Sequence, residues 1–308
     1  MNQRDIVNRL LSQITKARSL RGTSLVITVF GDSISPHGGS IWLGSLIRAM
    51  EPLGINERLV RTSVYRLVKE GWLDVTRIGR RSYYTLTESG KNQFEKADRR
   101  IYSAERPDWD GEWTLVYCST VPAGKKEELR KNLHWQGFGQ LAPDLFAHPK
   151  SNEQSLDETL TEMGLFDHVI VLNAAPRHVA STKALKLLAR TRWGLDKLGR
   201  EYQHFLSVFR PVMQTVNKLE EIEPEVCFQL RTLLIHEYRR LLLRDTDLPV
   251  ELLPSGWPGL SAQHLTANLY ALLGPGAEHY LQSTMENADG YLPKARPAYY
   301  RRFRQPAE

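Results

Sequence analysis

The sequence predicts an α+β chain in three parts: helices followed by a β-hairpin over residues 1–106, a small α/β unit over 107–176, and a mainly helical part over 177–308. Three observations predict it. The apolar period switches from helical to alternating just after residue 70, strand and helix signals alternate beyond Pro107, and helical spacing dominates from about residue 177 onward.

Gln3 to Lys16 reads as an amphipathic helix through Ile6, Val7, Leu10, Leu11 and Ile14, broken by Arg21-Gly22. Ser24 to Ser33 is a second apolar segment, and Pro36-His37-Gly38-Gly39 marks a loop. Ile41 to Met50 returns to helical spacing and stops at Glu51-Pro52-Leu53-Gly54. Asn56 is a good N-cap for the next helix, which runs to Glu70, and Gly71 suits the position after a helix end. Trp72–Ile78, a turn at Gly79 and alternating Ser82–Thr87 predict a hairpin.

Pro107 marks a domain boundary. Beyond it, Trp113–Ser119 and His168–Asn173 read as strands and Lys125–Trp135 as a helix, while Gly and Pro between Gly137 and Lys150 predict loops. Ala184–Leu188, Trp193–Val208, Val226–Leu243 and His264–Leu273 carry helical spacing, with Pro249, Pro254 and Pro258 between the last two.

Of the 308 residues, 41% are hydrophobic and 25% charged, an ordinary globular balance. The longest nearly unbroken apolar run, Leu25–Phe30, is far short of the roughly 20 residues that span a bilayer. Arg4, Asp5 and Arg9 interrupt any signal-peptide pattern, so the expected location is the cytoplasm, without membrane contact. Cys118 and Cys227 lie too far apart for a redox or zinc motif and are expected to be reduced core thiols.

Charge is distributed unevenly. Residues 1–106 hold 18 Lys/Arg against 10 Asp/Glu, a net of +8, whereas the remaining 202 hold 23 against 25, a net of −2. A basic first third on a near-neutral remainder predicts a nucleic-acid-binding module.

The order helix, Gly54 turn, helix, hairpin is that of a winged helix-turn-helix. On the helix after Asn56, Val60, Val64, Leu67 and Val68 form an inner face; Arg58, Arg61, Thr62, Tyr65 and Lys69 lie on or near the opposite one. Arginine there can bond guanine through two donors. Arg66 is more lateral and suits a phosphate, as do Arg77, Arg80 and Arg81 around Gly79. The partner predicted is double-stranded DNA.

Enzyme signals are weak. Val29-Phe30-Gly31-Asp32-Ser33-Ile34-Ser35 resembles the nucleophile block of GDSL-type serine hydrolases, yet the Asp-x-x-His block that would supply the base is absent. His236-Glu237 begins like a zincin helix, but Arg240 stands where the second His must be. Gly137-Phe138-Gly139 is a bare GxG, and no phosphate-binding Walker sequence occurs. No catalytic residue, metal or cofactor is therefore expected. The alternatives are a hydrolase using Ser33 or a metal-dependent nuclease of the central unit.

Several blocks together resemble the PaaX-type repressors of phenylacetate-degradation operons. They are Gly31-Asp32-Ser33, Gly38-Gly39-x-Ile41-Trp42-Leu43-Gly44-Ser45-Leu46, Glu57-Arg58-x-Val60-Arg61-Thr62, Lys69 to Val75 and Arg77 to Ser82. Later come Trp135 to Pro143 (with any residue at 140), Tyr238-Arg239-Arg240, Asp247-x-Pro249 and Glu251 to Pro254. The resemblance spans nearly the whole chain and weakens after about residue 275. It implies a homodimeric repressor released from its operator by phenylacetyl-coenzyme A, a ferredoxin-like central domain and a helical C-terminal domain that senses the effector, dimerises, or does both. A dimer also has a physical motive, since two recognition helices one DNA turn apart read a palindrome.

An acyl-coenzyme A needs cations for its phosphates and an apolar slot for its phenyl group. The candidates outside the basic region are His134 and Trp135, Tyr238 with Arg239 and Arg240, and Trp257.

Overall fold

In a computed structural model, residues 3–17, 20–102, 109–149, 151–176 and 181–303 are described. Two compact units emerge: residues 1–104, 203–240 and 260–308 form the first, and residues 105–202 and 241–259 the second. The helical stretch expected over 177–308 is thus divided between them.

The first unit begins with α1 (Gln3–Ala17), which buries Ile6, Val7, Leu10 and Ile14 along one stripe. Next, α2 (Gly22–Val29) runs directly into a π-helical turn, Phe30–Ile34, and a single 3₁₀ turn, Ser35–His37. Gly38 and Gly39 follow at φ +91° and +73°, a pair of left-handed positions that reverse the chain. The helix expected from Ile41 starts later: Ser40–Trp42 form strand β1, and α3 spans Leu43–Met50. Ile41 is extended because it pairs with Tyr84 of the hairpin, a long-range partner that local spacing does not register. Gly44 follows because a Cβ there would meet the Trp42 ring at 2.5 Å.

A 3₁₀ turn (Glu51–Leu53) and Gly54 at φ +80° lead into α4 (Glu57–Lys69). Asn56 caps α4, its side chain accepting the Leu59 N–H at 3.0 Å. Val60, Ser63, Val64 and Leu67 are buried, and the helix packs against α2. Strands β2 (Leu73–Ile78) and β3 (Arg81–Leu86) form the hairpin, joined by Gly79-Arg80 with Gly79 at φ +59°. The sheet order is β1-β3-β2, wholly antiparallel. Helix α5 (Glu88–Ile101), capped by Thr87, is an element that the sequence does not announce, because so polar a stretch carries little apolar period.

In the second unit, β4 (Trp113–Tyr117), α6 (Ala123–Trp135), β5 (Gly139–Ala142), β6 (Leu145–His148), α7 (Glu153–Glu162) and β7 (Ile170–Ala174) follow in order. The loops expected over Gly137–Lys150 are instead a tight hairpin, its turn made by Pro143-Asp144. The antiparallel sheet order β5-β6-β4-β7 is that of a β-α-β-β-α-β ferredoxin-like unit. Val116, Phe138 and Phe146 pack with Leu129 and Leu133 of α6 and Leu156 and Leu160 of α7 in one core. Helix α8 (Ser181–Arg192) is followed by Trp193, which donates to the Gly137 carbonyl at 3.0 Å; a Cβ on Gly139 would strike its ring.

The remaining helices are α9 (Leu195–Val216), α10 (Pro224–Leu242) and α11 (Pro258–Thr284). Within the first unit α10 is buried on almost every side, which explains its unbroken apolar run. A two-residue pair, β8 (Glu286–Asn287) and β9 (Gly290–Tyr291), closes the elements, with β8 beside β1. No helix among the described residues is long and apolar enough to cross a membrane.

Candidate nucleic-acid interface

Helix α4 presents the expected residues outward. Arg58, Arg61, Thr62, Tyr65, Arg66 and Lys69 are all exposed, Tyr65 at 71%. Two of the arginines are held along the helix: Arg61 meets Glu57 at 2.7 Å and Arg66 meets Glu70 at 2.7 Å. Such exposed i,i+4 pairs contribute only about 0.3–0.5 kcal/mol, so a phosphate or base edge can replace the carboxylate at small cost. Arg58 and Lys69 have no ion-pair partner among the described residues. Thr62 donates its hydroxyl to the Arg58 carbonyl at 2.8 Å, and Asn56 is committed to its cap.

On the hairpin, Arg77 and Arg80 are exposed and unpaired among the described residues. Arg81 differs. Its guanidinium lies 4.2 Å from the centre of the Trp42 ring and bonds Glu286 at 2.8 Å. Glu286 also lies 3.7 Å from Arg48 and donates its backbone N–H to Ser45 Oγ at 3.1 Å. Hydrogen bonding to Tyr83 and to Glu286 pushes the Arg81 guanidinium up, and Glu70 does the same for Arg66, so both stay charged. The turn end of the hairpin is thereby tied through Arg81 to Trp42 of β1 and Glu286 of β8, while Arg77 and Arg80 stay exposed beside it.

Behind this surface lies a buried ionic cluster that sequence reasoning does not find. The π-helical turn points Asp32 inward, at 1% exposure, where its Oδ1 accepts from Tyr102 at 2.7 Å and Tyr270 at 3.0 Å. Arg302 bonds the same oxygen at 3.3 Å and the Asp32 carbonyl at 2.9 Å, and it also meets Asp98. Arg231 of α10, with no exposed surface, pairs with Oδ2 at 3.1 Å and donates to Ser33 Oγ at 3.1 Å. Burial alone would lower Arg231 and Arg302, but the surrounding anion and phenol groups outweigh it and both are raised.

The block that resembles a hydrolase nucleophile is therefore part of this cluster. Ser33 is fully buried, accepting from Arg231 and donating to Asp32. His37 donates Nδ1–H to the Ser33 carbonyl, and its Nε2 meets Glu278 at 3.0 Å. Burial raises the Glu278 carboxyl, yet the hydrogen bond from His37 and the charges of His37 and Arg231 hold it below its ordinary value. His236 is likewise buried, its Nδ1 3.0 Å from Thr28 Oγ1. Among the described residues no group of His, Cys, Asp and Glu converges as a metal site, and Cys118 and Cys227 are both buried free thiols.

The effector candidates are scattered. His134 is exposed on α6, the Trp135 side chain lies outside the described residues, and Trp257 is buried in the second unit against Tyr202. Tyr238, Arg239 and Arg240 belong to the first unit. Tyr238 is buried against Phe205, and Arg239 donates to Thr28 at 3.1 Å, burial lowering its guanidinium. Arg240 pairs with Glu237 at 3.2 Å beside a crevice of about 40 Å³ floored by Phe205 and Phe209. A cavity of about 150 Å³ admits benzene, so a phenyl group would have to open this crevice to enter it.

Known proteins match most of the length of the chain. Residues 21–90 match the pattern of a PaaX-like protein, residues 106–186 that of the PaaX protein central Cas2-like domain, and residues 193–283 that of the PaaX-like protein C-terminal domain. The chain is 40% identical over 298 residues to the transcriptional repressor PaaX of Escherichia coli (strain K12), covering 96% of this chain and 94% of that one. In fold it is similar to the solved structure of the uncharacterized protein Rv0674 from Mycobacterium tuberculosis, with a TM-score of 0.55 and 21% identity over 84% of this chain and 97% of that one. With matches along nearly its whole length, this chain belongs to the PaaX family of transcriptional repressors.

Proposed function

We propose that the chain is a cytoplasmic, homodimeric winged helix-turn-helix repressor of phenylacetate catabolism, released from its operator by an aromatic acyl-coenzyme A such as phenylacetyl-coenzyme A. The observation that carries the reading is the outward face of α4, with Arg58, Arg61, Thr62, Tyr65 and Lys69, beside a hairpin tipped by Arg77 and Arg80. In this reading α4 enters the major groove, Arg58 and Arg61 reach base edges, and Arg77 and Arg80 lie along the phosphates. Arg66 takes a flanking phosphate, and Arg81 sets the angle of the wing through Trp42 and Glu286.

Release requires the effector to bind one conformation better than the other, since equal affinity shifts nothing. Helix α10 is suited to carry such a shift, because Arg231 and Arg239 tie it to Asp32, Ser33 and Thr28 on the segment that supports α4. Arg239, Arg240 and Tyr238 therefore remain the effector candidates nearest to that linkage, with His134, Trp135 and Trp257 as the rival set in the second unit.

Fluorescence anisotropy of a labelled duplex from upstream of phenylacetate-degradation genes tests the proposal. Binding should be lost on adding phenylacetyl-coenzyme A and kept with free phenylacetate. Binding that ignores the thioester overturns the effector; absence of binding overturns the repressor reading. Cleavage of the duplex with a divalent metal would favour a nuclease of the central domain instead.

A further inference from the structure

Beyond the basic first third, positive charge gathers in a short stretch of the second unit. Residues 183–200 hold six Lys/Arg and one Asp, a net of +5, so the rest of 107–308 stands at −7. The other basic run, residues 294–304, is partly neutralised within the fold, where Arg296 meets Glu95 and Arg302 meets Asp32 and Asp98. Helix α8 has no such relief, since it contains no acidic residue.

The helix has two distinct faces. Ala189 is buried, Leu185 and Leu188 are half-buried, and Trp193 after the helix end anchors this side to the Gly137 carbonyl next to β5. The opposite face carries Lys183, Lys186 and Arg190, all exposed and spaced i, i+3 and i+7. Lys183 and Lys186 have no ion-pair partner among the described residues, nor have Arg192, Lys197 and Arg200. Arg190 meets Asp196 at 2.8 Å, an exposed pair that a stronger anion replaces at small cost.

We infer that this outer face of α8 holds the phosphate backbone of the bound duplex, a second DNA contact separate from the α4 and hairpin surface. The inference rests on the duplex-binding reading above. Lysine is a point charge on a flexible stem, so it neutralises phosphates without reading bases. Lys183 to Arg190 covers about 10.5 Å of helix at 1.5 Å per residue. One strand of B-DNA presents a phosphate about every 3.4 Å of axis, so the three cations span about three phosphates. A protein partner docking on α8 would need a row of apolar anchors at helical spacing, and this face offers Leu187 alone, at 63% exposure. An acyl-coenzyme A would need an enclosing slot for its phenyl group, which the convex outer side of a helix does not provide.

The test measures duplex affinity against salt by fluorescence anisotropy, for the full-length wild type and for Lys183→Gln/Lys186→Gln. Two lost phosphate contacts should make the slope of log K against log salt shallower by about 1.8 for each chain bound, so the wild type's advantage should shrink about tenfold between 50 and 200 mM salt. Lys131→Gln/Lys218→Gln removes the same charge from two exposed positions elsewhere and should leave the slope unchanged. In the wild type, bound duplex should slow acetylation of Lys183 and Lys186, read by mass spectrometry, and leave Lys131 as reactive as before; this result decides alone if the α8 variant fails to fold. An unchanged slope with unprotected lysines overturns the α8 contact and leaves the repressor reading intact. An equal change in both double variants also overturns it, because net charge and not contact would be responsible. An unchanged slope with release shifted to higher phenylacetyl-coenzyme A would assign α8 to the effector's phosphates and overturn the DNA contact. A wild type that binds no duplex overturns the repressor reading and this inference together.

Discussion

Replacing Asp32 with asparagine keeps the shape of the side chain and removes its charge from a site that is 1% exposed. Two guanidiniums depend on that charge: Arg231 at 3.1 Å, with no exposed surface, and Arg302 at 3.3 Å. Breaking a buried pair by removing one partner costs about 3–5 kcal/mol, because the remaining ion stays desolvated and uncompensated. In Asp32→Asn the side-chain amide oxygen would still accept from Tyr102 and Tyr270, so the loss is electrostatic more than a loss of hydrogen bonds. Against a typical total stability of about 5–15 kcal/mol, this removes a large share of the first unit's margin. Ser33→Ala, by contrast, deletes one hydroxyl that accepts from Arg231 and should cost about 1 kcal/mol. Urea unfolding followed by far-ultraviolet circular dichroism compares the two variants. A cost below about 1 kcal/mol for Asp32→Asn, or an equal cost for both, would refute the reasoning.

Three further outcomes follow from the same geometry. Glu278 is held below its ordinary value of 4.5, so its stabilisation is full above that pH and is lost as pH falls through the lower folded value; the stability gap between wild type and Glu278→Gln should close on acidification below about pH 4.5, and a gap that widens contradicts the pairing with His37 and Arg231. Asn56→Ala should destabilise α4 by about 1 kcal/mol in urea melts while Asn56→Asp, which keeps the accepting oxygen, should not. Gly44→Ala forces a Cβ to 2.5 Å from the Trp42 ring and should cost about 1–3 kcal/mol in the same melts, with duplex affinity falling as Arg81 loses its seat; unchanged affinity would detach Arg81 from the wing's geometry.

Legibility in the sequence follows the range of the interactions. Helix α4 is readable because its signals are local: Asn56 at the cap, Gly71 after the end, and Val60, Val64 and Leu67 at helical spacing between them. The Gly79 turn is readable for the same reason. Ile41-Trp42 has helical spacing yet is extended, because only Tyr84 and Tyr83, more than 40 residues away, make it a strand. Residues 139–148 look like loops because strands of four residues carry almost no periodicity, although Pro143-Asp144 is a turn signal. The ionic cluster is out of reach for a deeper reason. Arg302 lies 270 residues from Asp32 along the chain, and Arg231 lies 198 from Ser33. Nothing local distinguishes a buried Asp in Gly-Asp-Ser from an active-site neighbour. On the candidate interface, the outward residues of α4 are legible, whereas the capture of Arg81 by Trp42 and Glu286 is not.

Whether the α4 and hairpin surface grips a DNA duplex is tested most directly by the salt dependence of duplex affinity, for the wild type and for Arg77→Ala/Arg80→Ala. Each phosphate contact contributes about 0.9 to the slope of log K against log salt, so the double variant should bind more weakly on every sequence, with a slope shallower by about 2. A slope unchanged from wild type would mean that these arginines touch no phosphate, and that the duplex, if bound, lies on another surface.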